Sequence, residues 1–219
     1  MYSGFIVPAQ VRQCQPRRFL RYNECMEPNE NAVSNKTRED AWRLVTEWTQ
    51  SESLRKHMMA VETAMRGAAR RAGADEELWG ITGLLHDFDY ERYPNVPDHP
   101  QKGSEILRAE GYPEVVIHAI LAHAGEATGV PRDTPLAQHL FAVDELSGFL
   151  TAVAYVRPSR KIADVDVASV KKKLKDKAFA RSVSRDDIYT GAQELGLDLD
   201  THIQHVLADL QTDSERLGF

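Results

Sequence analysis

Six residues of this chain combine imidazole and carboxylate donors in a pattern that could hold a metal: His57, His86, Asp87, His99, His123 and Asp144. The adjacent pair His86-Asp87 closes the apolar run Gly83-Leu84-Leu85. It offers a neutral imidazole and a charged oxygen to one cation, a donor set suited to Zn, Fe, Mn or Ni. His57 stands between Leu54 and Val61 on an apolar helical stripe, where it is either a core histidine bonded to a carbonyl or a ligand. Asp144 and Glu145 are the only acids between residues 136 and 156, set among Phe141, Val143, Leu146, Phe149 and Leu150. A carboxylate so placed needs a cation, a metal or a hydrogen-bond donor. A metal shared with His57, His86 and Asp87 answers that need. His99, in Asp98-His99-Pro100-Gln101, enters a short helix and reads equally as a helix-start residue.

The remaining histidines sort by helical phase. His123 shares a face with Val116, Ala119 and Ile120, whereas His118 points well away from it at 3.6 residues per turn and reads as a surface residue. His139 falls opposite Asp144 and also reads as surface. His202 and His205 lie three apart with no acidic partner nearby and read as structural.

Helices must position these groups. Thr37-Arg38-Glu39-Asp40 has the form of a capping box ahead of Trp42, Leu44, Val45 and Trp48. Leu54, His57, Met58, Val61, Met65 and Ala68 form one stripe that ends at Gly73. Acids at 75–77 open a helix running to Leu85. A short helix spans Ser104–Ala109, another follows Pro113 to about Ala124, and a long apolar one covers Leu136–Val156. Further helices are expected at Val167–Phe179, Arg185–Leu195 and Leu199–Leu210. No segment alternates with period two between hairpin turns. The expected class is all-α: a poorly ordered arm over residues 1–36, rich in Asn, Gln, Pro and Arg, then one domain over 37–219.

Composition narrows the function. The chain has 219 residues, 42% hydrophobic and 27% charged, with no apolar run near the length of a membrane span. A net charge of −6 disfavours bulk nucleic-acid binding. Two cysteines, Cys14 and Cys25, exclude a disulfide framework and a zinc ribbon. These features predict a cytoplasmic protein. Residues 157–185 hold ten Lys or Arg against three Asp, net +7, leaving −13 for the rest. Arg157 and Lys161 directly follow the helix of Asp144, so they are the expected phosphate-binding pair of a positive rim. A solvated helix face is the alternative.

The order His57, His86-Asp87, His99, His123, Asp144 resembles the HD superfamily of metal-dependent phosphohydrolases over roughly residues 37–210. The strings Glu62-Thr63-Ala64-Met65, Gly83-Leu84-Leu85-His86-Asp87-Phe88-Asp89-Tyr90-Glu91 and Val156-Arg157-Pro158-Ser159-Arg160-Lys161 are similar to a bacterial group of predicted HD hydrolases, and residues 169–180 continue the similarity. The resemblance implies an HD-domain helical bundle in which His57, His86, Asp87 and Asp144 are the common ligands. It also implies that His99 and His123 are the extra ligands of dinuclear members, with Asp87 bridging. One or two divalent ions are then expected, drawn from Mn, Ni, Fe, Zn and Mg. Asp87, Asp89 and Glu62 are the catalytic candidates, Asp89 or Glu62 orienting water or fixing a ligand tautomer. The string after His86-Asp87 departs from the His-Asp-x-Gly-Lys of cyclic-dinucleotide phosphodiesterases, and no GYP motif follows. The expected activity is hydrolysis of a small phosphate ester, such as a nucleotide or phosphosugar, by metal-activated water. Alternatives are a diiron oxygenase on the same ligands and a non-catalytic nucleotide-binding sensor.

Overall fold

The computed structural model describes residues 36–219; the arm expected over 1–36 lies almost wholly outside them. Among the described residues there are helices and no strand. The helices are α1 (Arg38–Trp48), α2 (Glu52–Ala72), α3 (Glu76–Leu85), α4 (Asp98–Ala109), α5 (Glu114–His123), α6 (Gly125–Thr128), α7 (Pro135–Tyr155), α8 (Val167–Leu174), α9 (Arg185–Glu194), α10 (Leu199–Thr212) and α11 (Ser214–Leu217). None is long and apolar enough to cross a membrane.

Local chemistry starts and stops them. The Thr37 hydroxyl accepts from the Asp40 N–H while the Asp40 carboxylate accepts from the Thr37 N–H, closing the capping box of α1. Ser51, Asp75, Thr134, Ser184 and Asp198 each accept a third-residue N–H at the start of α2, α3, α7, α9 and α10, caps worth about 1 kcal/mol each. α2 ends at Gly73, whose φ of 67° favours glycine.

Two 21-residue helices, α2 and α7, run about 31 Å each. α7 packs against α2, α5, α9 and α10, and α2 also carries α3. The α2–α3 approach is close: a Cβ at Gly83 would stand 2.9 Å from the Val61 carbonyl oxygen. That contact sets the end of α3, and so the His86-Asp87 pair, against the helix of His57.

Three expectations need correction. α8 stops at Leu174 rather than Phe179, because residues 175–184 bend around the Arg185 guanidinium, which donates to the carbonyls of Asp176, Phe179, Ala180 and Val183. α4 begins at Asp98, earlier than expected, with His99 in an extended conformation (ψ 130°) inside its first turn, as suits a residue before proline. His139 is not a surface residue. Its ring lies 4.9 Å from that of Trp79 and its Nδ1–H donates to the Pro135 carbonyl, because α7 is packed on that face as well.

Candidate metal centre

Five elements deliver the six residues to one place, with His99 in the first turn of α4. α2 carries His57, α7 carries Asp144, and α5 ends on His123. His86 caps α3 and Asp87 follows in a turn. Phe88 pins that turn: its side chain is fully buried with its ring 5.6 Å from Trp48, and its carbonyl accepts from the Thr49 hydroxyl at 3.0 Å. One residue facing the core thus fixes Asp87 and Asp89 on either side.

The donor atoms form two groups. Asp144 Oδ1 lies 3.0 Å from His57 Nε2 and 3.3 Å from His86 Nε2; Asp87 Oδ2 lies 3.8 and 3.4 Å from the same nitrogens. On the other side, Asp87 Oδ1 lies 3.2 Å from His99 Nε2 and 3.8 Å from His123 Nε2, and those nitrogens are 3.3 Å apart. Asp87 is common to both groups. Donors bound to one ion at about 2.0–2.2 Å stand roughly 3–3.5 Å from each other, so both groups have the spacing of a coordination shell.

The buried atom that tests the fit is His86 Nε2, which has no hydrogen-bond partner. Its Nδ1 donates to the Gly83 carbonyl at 2.8 Å, leaving the Nε2 lone pair toward Asp87 and Asp144. His123 Nδ1 similarly meets the Ile120 carbonyl. His99 Nδ1 meets Asp89 Oδ1 at 2.7 Å, while Asp89 Oδ2 accepts from the Gly103 N–H at 2.7 Å. An orphaned nitrogen opposite two carboxylates, with the outer ring nitrogens committed to oxygen, suits a divalent cation.

The electrostatics ask for positive charge at the same place. Burial works against ionised Asp87 and Asp144, yet the surrounding imidazoles hold both well below the usual carboxylate range. Burial likewise opposes protonation of His86 and His99. The carboxylates outweigh it, lifting His86 well above its ordinary value and His99 to about 9. Burial pushes His123 down.

The donors open onto a cavity of about 380 Å³. The family comparison matches residues 54–148 to the HD domain. This stretch is an HD domain. It contains all six candidate ligands, and an HD domain implies the metal-dependent phosphohydrolase superfamily. Two curated relatives are ribonucleases by name. Ribonuclease Y 2 of Levilactobacillus brevis is 34% identical over 93 residues, 42% of this chain and 17% of that protein. Ribonuclease Y of Lactobacillus acidophilus is 30% identical over 106 residues, 48% of this chain and 19% of that protein. The chain thus spans less than a fifth of the length of these relatives. No solved structure matches it.

Not every expected residue reaches the HD centre. Glu62 does not. It lies five residues beyond His57 on α2, about 140° around the helix. Its buried carboxylate accepts from Arg38 at 2.7 and 2.9 Å, Arg66 at 3.1 Å and Arg216 at 2.9 Å. It ties α1, α2 and α11 together, with no oxygen left to orient water at the metal. Arg157 and Lys161 are also misplaced as phosphate ligands. Arg157 follows Asp144 by thirteen residues, about 20 Å along the helix direction, and donates to Ser169 at 2.6 Å. Neither residue lines the cavity. Asp89 touches His99 rather than the cavity, the tautomer-fixing role among its two expected ones.

The HD cavity also has walls that sequence reasoning passed over: Tyr90, Phe141, Glu145, Ser182, Val183 and Asp187. Tyr90 sets its ring 5.2 Å from His99, edge to face, and stays 43% exposed. Glu145 accepts from the Ser184 N–H at 3.1 Å; burial, and then the charge of Asp144, push it up to about 7. Its position beside Asp144 among apolar residues was the available signal. No lining residue is Lys or Arg.

Proposed function

We propose that this HD domain, with residues 37–219 working as one unit, hydrolyses a phosphate ester such as a nucleotide or phosphosugar. The division of Asp87 between two donor groups carries the reading, since it gives one carboxylate a place in two adjoining ion sites. His57, His86, Asp87 and Asp144 would hold one divalent cation, and Asp87, His99 and His123 a second. Such ions polarise a phosphoryl oxygen and lower the pKa of bound water, supplying a nucleophile at neutral pH. The four imidazoles add no charge of their own, so the cations stay electrophilic. Asp89 holds a proton on His99 Nδ1, and Phe88 anchors the turn that carries Asp87 and Asp89. Tyr90 and Phe141 offer apolar walls to the organic part of the ester.

A second reading, cleavage of an RNA phosphodiester, is favoured by the two relatives named as ribonucleases. One experiment separates these from an oxygenase. Protein loaded in turn with Mn, Ni, Fe, Zn and Mg is assayed on p-nitrophenyl phosphate, bis-p-nitrophenyl phosphate and an oligoribonucleotide, with oxygen uptake followed alongside. The expected result is metal-dependent ester hydrolysis that His86→Ala abolishes together with metal content. His118→Ala leaves both intact, because His118 is engaged with Asp133 at 2.8 Å instead. Oxygen uptake without phosphate-ester cleavage, or hydrolysis surviving His86→Ala, would overturn the proposal.

A further inference from the structure

The cavity walls carry four carboxylates, Asp87, Asp144, Glu145 and Asp187, and no lysine or arginine. That arrangement holds metal ions but does nothing to bring in an anion from outside. The positive charge lies next door. Residues 171–185 contain seven Lys or Arg and one Asp, net +6 in a chain of net −6. Three of the seven are occupied. Lys171 pairs with Asp200, Lys173 sits over the Phe179 ring, and Arg185 spans its four carbonyls.

Lys172, Lys175, Lys177 and Arg181 remain, all exposed and without an acidic partner among the described residues; the last three lie beyond the end of α8, on the segment that leads to the cavity. Arg181 immediately precedes Ser182 and Val183, which line the cavity; consecutive Cα atoms are about 3.8 Å apart. The segment is also held in shape. The half-buried Arg185 clamp fixes its carbonyls, Phe179 packs edge-on against Phe149 at 5.4 Å, and Ala180 is kept at φ 40°. A non-glycine residue persists there only when its surroundings over-determine it. The segment that carries these cations is therefore a fixed lip rather than a free loop, and Arg181 is the one that adjoins the cavity lining.

We propose that Lys175, Lys177 and Arg181 bind a second phosphate of the substrate, outside the cavity, while the reacting phosphate meets the metal ions. The proposal rests on the phosphohydrolase reading and narrows its substrate class to esters carrying a further, separated phosphate. Single-phosphate esters would bind through the centre alone.

The test is direct binding by Mn-loaded protein to fluorescein-labelled, phosphorothioate-linked thymidylates with one, two and four phosphates. The comparison is the parent, the variant Lys175→Gln/Lys177→Gln/Arg181→Gln, and the charge-matched control Arg43→Gln/Arg70→Gln/Arg108→Gln. Parent and control should gain on the order of tenfold in affinity from one phosphate to two or more, with a steep salt dependence. The lip variant should lose that gain and most of the salt slope while keeping its metal content and its affinity for the single phosphate. A gain that stops at two phosphates identifies a small bisphosphorylated ligand, and one that continues to four identifies a strand; each supports the lip. Equal length dependence in parent and lip variant would overturn the proposal and make the run a solvated face. Catalysis is read separately on bis-p-nitrophenyl phosphate. Lip-dependent binding without hydrolysis would support the lip and refute the phosphohydrolase.

Discussion

Replacing Asp89 by Asn should remove one metal ion and spare the other. Both oxygens of Asp89 accept: Oδ1 from His99 Nδ1 and Oδ2 from the Gly103 N–H, each at 2.7 Å, with the side chain 1% exposed. An amide of the same shape has one acceptor and one donor group. If its oxygen faced His99, its NH2 would confront the Gly103 N–H, leaving a buried backbone donor unpaired at about 1–3 kcal/mol. The cheaper arrangement keeps the oxygen on Gly103 and turns the NH2 to His99. The imidazole must then accept at Nδ1 and carry its proton on Nε2. That proton points at Asp87 Oδ1, 3.2 Å away, so two donors of the second ion are consumed in one hydrogen bond. Outer-shell changes of this kind typically cost 10–100-fold in metal affinity, about 1.4–2.8 kcal/mol. Asp87 Oδ2, His57, His86 and Asp144 keep their geometry. Elemental analysis after dialysis against graded Mn should show two ions per chain falling to one. Nitrogen-15 spectra of metal-free protein, recorded above the parent His99 pKa of about 9 where the ring carries one proton, should show that proton moved from Nδ1 to Nε2. Two ions at parent affinity, with the proton still on Nδ1, would refute the reasoning.

Glu62→Gln should lower stability without changing metal content. Its three arginine side chains are 18–33% exposed, so about 2–3 kcal/mol is expected, below the 3–5 typical of breaking a fully buried pair; urea unfolding beside metal analysis measures both. The second ion should bind more tightly as pH rises. In the metal-free protein His99 is protonated up to about 9, so binding must displace a proton below that pH. Affinity should climb about tenfold per unit and level off above it, which metal titrations with proton-release measurement will check.

The boundaries of α1, α2, α3, α5 and α7 were legible because caps and apolar periodicity act within a turn or two. Thr37 and Asp40 meet across three residues, and Gly73 ends α2 through its own backbone. The candidate ligands stood out for a related reason. His57 and Asp144 are polar groups on apolar faces, and that contradiction within one helix is visible without knowing what the helix packs against. Glu62 was misread because its partners are Arg38 and Arg216, 24 and 154 residues away. A buried acid announces that it needs cations but not which ones. His139 was misplaced because the face opposite Asp144 is also covered, a fact of packing around α7 that helical phase cannot supply.

The displaced basic rim shows what separates chain order from position. Arg157 and Lys161 follow the helix of Asp144 in sequence, but a rise of 1.5 Å per residue carries them to the far end of α7. Residues 175–183 return because Arg185 at the start of α9 draws the chain back over α7, where Gly191 of α9 lies against the Ala142 backbone. The tightness of that helix crossing brings Ser182 and Val183 to the cavity and Arg181 to its edge. Acidic walls can then bind cations while a separate cationic lip meets the anion. Placing both charges inside one cavity would pair them with each other, as Arg38, Arg66 and Arg216 already neutralise Glu62 on the opposite side of α2.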